Sequence, residues 1–526
     1  MNSDLGAAPG PQTWSPRANP YVIALSVMLA TFMEVLDTTI TTVSLPNIAG
    51  NLAATTDEAT WITTSYLISN AIVLPASGWF ALYFGRKRFF MGCVALFTLS
   101  SLMCGMAPSL GMLILARVLQ GAGGGALQPL SQAILLESFP QEKRGTAMAV
   151  FGLGVVVAPV LGPTLGGWLT ENYSWRWIFN INIVFGLLAL YLVFRNVEDP
   201  PYVRNRRPGE IDARGFAYLI LWLGTLQVIL DKGQQDDWFS AVWIRWFFAI
   251  SAAAFVLFVA RQLRAPHPIV DLHVFRDRNF ASGTAFMGVF GAVMYSSVTI
   301  LPIFLQRLMG YTAEIAGYAT TPRGIGALIA MPLVVRLIRR RDPRWMMVFG
   351  IAVFALSMWM LSNLNLQAAM RDVVLPCFIQ GFGMGFIMVP TMTMAMGTLP
   401  NRAIGNATGV YNLMRNLGGS VGISASITYI ARNAQANQAL MAGRMTPYDP
   451  AFRQRLAAVR NRLAPLTGAS QAGPQARGAL YGMLLQQASL RAYMNCFAWV
   501  TLAMTVCIPL ALMARRIKVQ GDAAVH

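Results

Sequence analysis

Apolar residues run in blocks of about twenty along nearly the whole chain, separated by short polar loops. A helix of that length covers the ~30 Å of hydrocarbon in a bilayer. About fourteen such blocks fit within the 526 residues, so the expected fold is an all-α integral membrane protein with fourteen spans. Only 12% of the residues are charged, roughly half the share usual in soluble domains. A string of soluble domains, which length alone would allow, is thereby excluded.

The net charge of +18 raises nucleic-acid binding as a function class, but its placement argues for topology instead. Basic residues gather in short loops: Arg86 to Arg88; Lys143 and Arg144; Arg204, Arg206 and Arg207; Arg339 to Arg341; Arg515, Arg516 and Lys518. All fall on one side of the membrane if the first span starts in the cytoplasm, as the positive-inside rule requires. An even number of spans then puts both termini in the cytoplasm. The five cysteines lie in apolar spans without CxxC spacing, and the three histidines, His267, His273 and His526, assemble no ligand set. Neither a disulfide framework nor a metal site is expected, and no cofactor.

Residues 1–20 form a polar cytoplasmic tail with no basic n-region, and the apolar run from Tyr21 is too long for a signal peptide. Six spans follow within 21–195. A charged linker and two further spans, at about 215–231 and 241–260, occupy 196–280. Six more spans lie within 281–513, with a long outer loop at 431–490, and 514–526 is a cytoplasmic tail. An amphipathic pattern at Phe452, Leu456, Val459 and Leu463 marks that loop.

The chain repeats itself. Leu119-Gln120-Gly121-Ala122-Gly123-Gly124-Gly125 returns as Ile379-Gln380-Gly381-Phe382-Gly383-Met384-Gly385, and Leu45-Pro46 as Leu301-Pro302, at offsets of about 256 residues. The first six and last six spans are therefore two copies of one bundle, and the middle pair is an insert. Parallel halves of this kind are one plan for secondary transporters, with substrate held between them near the midplane.

With these features the sequence resembles the major facilitator superfamily and, within it, the fourteen-span drug:proton antiporters of the EmrB/QacA type, EmrB-like pumps in particular. The resemblance rests on ATFMEVLDTTITTVSLPNIAGNL, RVLQGAGGG, GPTLGGW, WRWIFNIN, LQVILDKGQQDDWF, PIVDLHVFRDRNF and NLGGSVG. It implies proton-coupled export of hydrophobic or amphiphilic compounds across a bacterial inner membrane, driven by the proton gradient with no other cofactor. It also implies a periplasmic adaptor of the membrane-fusion type and an outer-membrane channel as partners, the long outer loop being either part of the dock or a solvated connection.

Glu34 and Asp37 are the only carboxylates well inside an expected span. At i and i+3 they share one helix face. Acids at membrane depth are costly and face a cavity or a partner, so they read as functional. Phe290 and Val293 stand at the repeat-related positions, which confines proton chemistry to the first half. Arg117 is the expected partner. Asp37 lies roughly 12 Å below the outer end of its span and Arg117 roughly 9 Å below the outer start of its own. In the family the arginine of RxxQG is tied to proton transfer, and a fixed guanidinium attracts the charged form of a nearby acid. A static ion pair is the alternative.

Gln120 and Gly121 follow Arg117, the glycines allowing close helix approach. Gly162-Pro163-Thr164-Leu165-Gly166-Gly167 resembles the antiporter signature, its proline kinking the helix and its small residues permitting tight packing. Gly78, Gly85 and Arg86 belong to a loop motif that gates other superfamily members. Leu82 stands where many of them carry an aspartate, so the gate lacks its usual acid, and Arg86 to Arg88 also read as an orientation signal alone.

Arg323 and Arg415 lie mid-span in the second half with no acid in their own bundle. Each must reach a carbonyl, a first-half acid, water or an anionic substrate, and both are candidates for substrate binding. Other readings are a dedicated exporter of one endogenous compound, such as a fatty acid or siderophore, and a polytopic membrane enzyme. No nucleophile–base set supports the enzyme.

Overall fold

The computed structural model describes residues 16–140, 143–199, 212–338, 340–443 and 445–513. Most of the two tails and of the first linker, with Arg204, Arg206, Arg207, Arg339, Arg515, Arg516 and Lys518, lie outside the described residues, as does the side chain of Pro163.

The first half contains α1 (Pro20–Asn51), α2 (Thr56–Phe84), α3 (Arg86–Met106), α4 (Leu110–Gly124) continued by α5 (Leu127–Ser138), α6 (Arg144–Asn172) and α7 (Trp177–Asn196). The inserted pair is α8 (Ala213–Lys232) and α9 (Val242–Arg264). The second half contains α10 (Arg278–Arg307), α11 (Ala313–Thr320) continued by α12 (Pro322–Leu337), α13 (Pro343–Leu361), α14 (Met370–Met396), α15 (Asn401–Ala442), α16 (Pro450–Thr467) and α17 (Ala469–Met513). Local chemistry sets the starts. Pro20 and Pro343 open α1 and α13, where the missing N–H is no loss. Thr55 and Glu58 form a reciprocal capping box at α2, with bonds of 2.8 and 3.2 Å.

Among the described residues eleven helices are long and apolar enough to cross a membrane, counting α4–α5 as one. A twelfth, α6, bends by 41° between Pro159 and Thr164, where prolines interrupt the backbone ladder. Two expected spans fall short of that standard. The tenth breaks at Thr321 into α11 and α12, Pro322 ending the continuous ladder. The thirteenth, in α15, carries Asn412, Arg415 and Asn416 because part of its surface meets the other bundle instead of lipid.

The segment 431–490 differs from the long loop read from the sequence. It is helical for most of its length: α15 runs on to Ala442, the Phe452–Leu463 pattern becomes α16, and α17 starts at Ala469. Helices of 42 and 45 residues reach roughly 60–70 Å, about twice the hydrocarbon thickness. Alternating polar and small residues in this stretch weaken the apolar signal while leaving helix propensity intact.

The two halves repeat in space. α1 packs on α6 and α7 as α10 packs on α15 and α17; α4 fits between α2 and α3 as α14 fits between α12 and α13. Glycine makes the second match. A Cβ on Gly121 would strike the Tyr66 carbonyl, and one on Gly381 would strike that of Arg323, so each helix pair touches backbone to backbone. The halves meet along two related seams, α2 and α5 against α15, and α6 against α11, α12 and α14. α8 flanks the first seam, held by Thr64 donating to Asp231 and by Lys232 Nζ donating to Thr60 at 2.6 Å.

Candidate functional site

An apolar helix can carry a charge at membrane depth only if the surrounding helices supply the missing solvation. α1 carries two such charges, and the structure gives each its own cage. Asp37 and Arg117 are fully buried. Arg117 Nη1 donates to Asp37 Oδ2 at 2.5 Å, while Oδ1 accepts from Gln120 Nε2 at 3.0 Å and from Asn182 Nδ2 at 2.7 Å. Ser101 Oγ accepts from the same two amides at 3.2 and 3.0 Å. Arg117 is fixed in turn by the Gln120 Oε1 and Ile62 carbonyl oxygens, at 2.7 and 3.1 Å. Its guanidinium lies over the Tyr66 ring, 4.3 Å from the centroid. Five helices of the first half, α1, α2, α3, α4 and α7, thus converge on one ion pair.

Glu34, one turn earlier, does not share Arg117. Its Oε1 accepts from Tyr66 Oη at 3.0 Å and Asn70 Nδ2 at 3.2 Å, and its Oε2 accepts from Gln128 Nε2 at 2.7 Å. Gln128 Oε1 in turn accepts from Arg415 Nη2 across the seam. One acid is therefore enclosed by its own bundle, and the other is tied to the opposite bundle through a single amide. Tyr66 stands between the cages, its hydroxyl on Glu34 and its ring under Arg117. Tyr66, Asn70, Gln128, Asn182 and Ser101 were not singled out from the sequence. Their signal was a polar side chain inside an apolar span, with Tyr66 and Asn70 four residues apart on one face of α2.

The second half keeps the frame of the first cage without its acid. Arg323 Nε donates to Gln380 Oε1 at 2.6 Å, and Gln380 Nε2 donates to Ser297 Oγ at 2.8 Å. Phe290 and Val293 are buried and apolar. Arg323 is buried with its Nη2 unpartnered among the described residues, and it does not line the cavity at the seam. Arg415 is at the seam. With Tyr411 and Gln132 it lines a cavity of about 20 Å³ whose remaining wall includes Met148, Met287 and Met392, room for about one water.

Toward the end that carries Arg86 to Arg88 the halves are in close contact. A Cβ on Gly78 would lie 2.8 Å from the Gly405 carbonyl oxygen, and Asn412 Nδ2 donates to Gln132 Oε1 at 2.7 Å. Gly85 joins α2 to α3 at φ 84°, a backbone region that only glycine adopts freely. Arg86 pairs with Glu137 at the end of α5, both buried. Glu137 thus supplies an acid to the loop motif that lacks one at Leu82, and it lies one residue beyond the expected end of the fourth span. In α6, Gly162 and Gly166 press against Thr39 and Ile40 of α1, while a Cβ on Gly167 would meet open space; Pro163 lies between Gly162 and Gly166 in the same helix.

The sequence comparisons agree with this architecture. The Major Facilitator Superfamily model matches residues 27–423. The chain belongs to the major facilitator superfamily. It is 36% identical to the multidrug export protein EmrB of Haemophilus influenzae over 431 residues, 82% of this chain and 84% of that protein. It is 34% identical to the fatty acid resistance protein FarB of Neisseria gonorrhoeae over 493 residues, 94% and 96% of the two chains. The crystal structure of the human organic anion transporter MFSD10 superposes with a TM-score of 0.57 at 13% identity, over 93% of this chain and all of that one, a likeness of fold. This superfamily member is a multi-pass membrane protein and an EmrB-like efflux transporter.

Proposed function

We propose that the protein is a proton-driven exporter of hydrophobic and amphiphilic compounds in a bacterial inner membrane, its basic loops and both termini in the cytoplasm, with Asp37 carrying the coupling proton. The observation that carries this reading is the Asp37–Arg117 pair, buried at membrane depth in a relative of multidrug export proteins. A proton arriving from outside converts Asp37 into a neutral acid, which no longer holds Arg117 electrostatically. The cage ties α1 to α3, α4 and α7, so its loosening changes how these helices pack and biases the rocking of one bundle against the other. Substrate entering from the cytoplasm or inner leaflet favours the deprotonated form. One charge crossing ~150 mV yields roughly 3.5 kcal/mol, a few hundredfold in concentration. The methionines at the inter-bundle seam suit varied apolar partners, because an unbranched thioether repacks easily. The extension formed by α15, α16 and α17 is the surface for a periplasmic adaptor leading to an outer-membrane channel.

Growth of a pump-deficient bacterium with and without this gene, on a panel of acidic, neutral and cationic drugs, tests the reading. Broad resistance that disappears with Asp37→Asn supports it; no resistance to any compound contradicts it. The likeness to a fatty acid resistance protein over nearly the whole chain favours one second reading, a dedicated exporter of one endogenous acid. Resistance confined to fatty acids would select it.

A further inference from the structure

The cavity at the seam has an uneven lining. Its walls are largely methionine and phenylalanine, yet Arg415 and Tyr411, four residues apart on α15, both face it. Each is about 1% exposed, and Arg415 Nη1 and Tyr411 Oη have no hydrogen-bond partner among the described residues. Two buried donors on one helix face, beside an apolar wall, match an oxyanion with a hydrocarbon tail. A carboxylate or sulfonate takes a guanidinium through two parallel bonds, which here means Nη1 together with the Nη2 that Gln128 occupies.

We propose that Arg415 and Tyr411 form the headgroup site for carboxylate- or sulfonate-bearing amphiphiles, and that Glu34, acting through Gln128, decides whether an anion can take it. The proposal rests on the transport reading above and names a substrate class for it. While Glu34 is ionised, its carboxylate orients Gln128 Nε2 toward itself and Gln128 Oε1 toward Arg415, so the guanidinium is engaged and its charge is balanced. Protonation of Glu34 removes that balancing charge. Gln128 is then free to turn away, and Arg415 is left for an external anion. The sign follows: a permanently charged anion binds more tightly as the pH falls. Other groups around Glu34 are Tyr66 and Asn70 on α2, Gln128 on α5, Arg415 on α15, and the Asp37–Arg117 pair on α1 and α4. α6 and α7 also pack on α1 but carry charges only in their end turns, at Arg144, Glu171 and Arg195. None of these neighbours needs to titrate for the switch to operate.

The test uses the full chain in lipid nanodiscs and radiolabelled decanesulfonate, which stays charged throughout, with decanol as the neutral comparison and empty nanodiscs subtracted. Decanesulfonate affinity is expected to rise roughly tenfold from pH 8 to pH 5.5, about one buried charged hydrogen bond. In Glu34→Gln it should be high at both pH values. In Arg415→Gln the ratio of sulfonate to decanol affinity should fall at least tenfold at pH 5.5, with Arg415→Lys intermediate and Tyr411→Phe reduced severalfold. An unchanged ratio in Arg415→Gln, or a pH dependence that survives Glu34→Gln, overturns the proposal. Export of a neutral dye by wild-type proteoliposomes under a proton gradient, measured alongside, tests the transport reading separately: dye export without anion selectivity sinks only the headgroup site.

Discussion

Replacing Asp37 with asparagine keeps the shape of the side chain and removes the charge that three donors share. Arg117, Gln120 and Asn182 all point hydrogens at that carboxylate. An amide offers one acceptor oxygen and turns its NH2 toward at least one of them. Arg117 then remains buried with its charge uncompensated, and breaking a buried pair from one side costs about 3–5 kcal/mol. Two consequences separate. Stability should fall by that amount, seen as a lower unfolding temperature in detergent. Transport should fail altogether, because no proton binds at residue 37: dye accumulation in proteoliposomes under an imposed proton gradient should drop from as much as a few hundredfold to the passive level. The double variant Asp37→Asn/Arg117→Gln removes the stranded charge and should recover much of the stability with no transport. A single variant that still accumulates dye at the wild-type ratio refutes the coupling role. A double variant no more stable than the single one refutes the electrostatic explanation of the loss.

Three further outcomes follow from the geometry. Glu137→Gln removes the charge that Arg86 pairs with and should lower stability by at most about 3 kcal/mol, measured by thermal unfolding against a silent surface change. Gly381→Val drives a side chain into the Arg323 carbonyl and should destabilise the α12–α14 contact by about 1–3 kcal/mol or prevent folding, whereas Gly473→Ala in α17, with open space around it, should be neutral or slightly stabilising. Trypsin added to spheroplasts should cut at Arg453, Arg455, Arg460 or Arg462 of α16 and spare Arg88; cleavage at Arg88 alone would reverse the proposed orientation.

Much of this was legible in the sequence because lipid imposes a simple rule. Blocks of about twenty apolar residues have few alternatives, and the return of the Leu119–Gly125 motif at Ile379–Gly385 reveals two bundles. Depth arithmetic allowed the Asp37–Arg117 contact, since two helices crossing one bilayer can be compared by residue count, and the resemblance of the RxxQG arginine pointed to the same pair. What stayed hidden depended on rotation about the helix axis and on packing between bundles. Depth could not tell Glu34 from Asp37, although one faces α4 and the other reaches Gln128 and the opposite half. Nor could it tell Arg323, bonded to Gln380 of its own bundle, from Arg415, which lines the cavity at the seam. The helical content past residue 430 does not show in hydropathy, because α16 is too polar to stand out as a span. Glu137 carries no signal of a buried charge because it sits at a span boundary, where charged residues are ordinarily solvated.

The most direct measurement is proton release on substrate binding. Purified protein in weakly buffered solution is mixed with a cationic dye, and the pH change is followed with an indicator. If Asp37 is the group that trades its proton for substrate, the wild type should release up to one proton per dye bound, and Asp37→Asn should bind dye with no release. Equal release from both proteins would mean that the exchanged proton sits elsewhere.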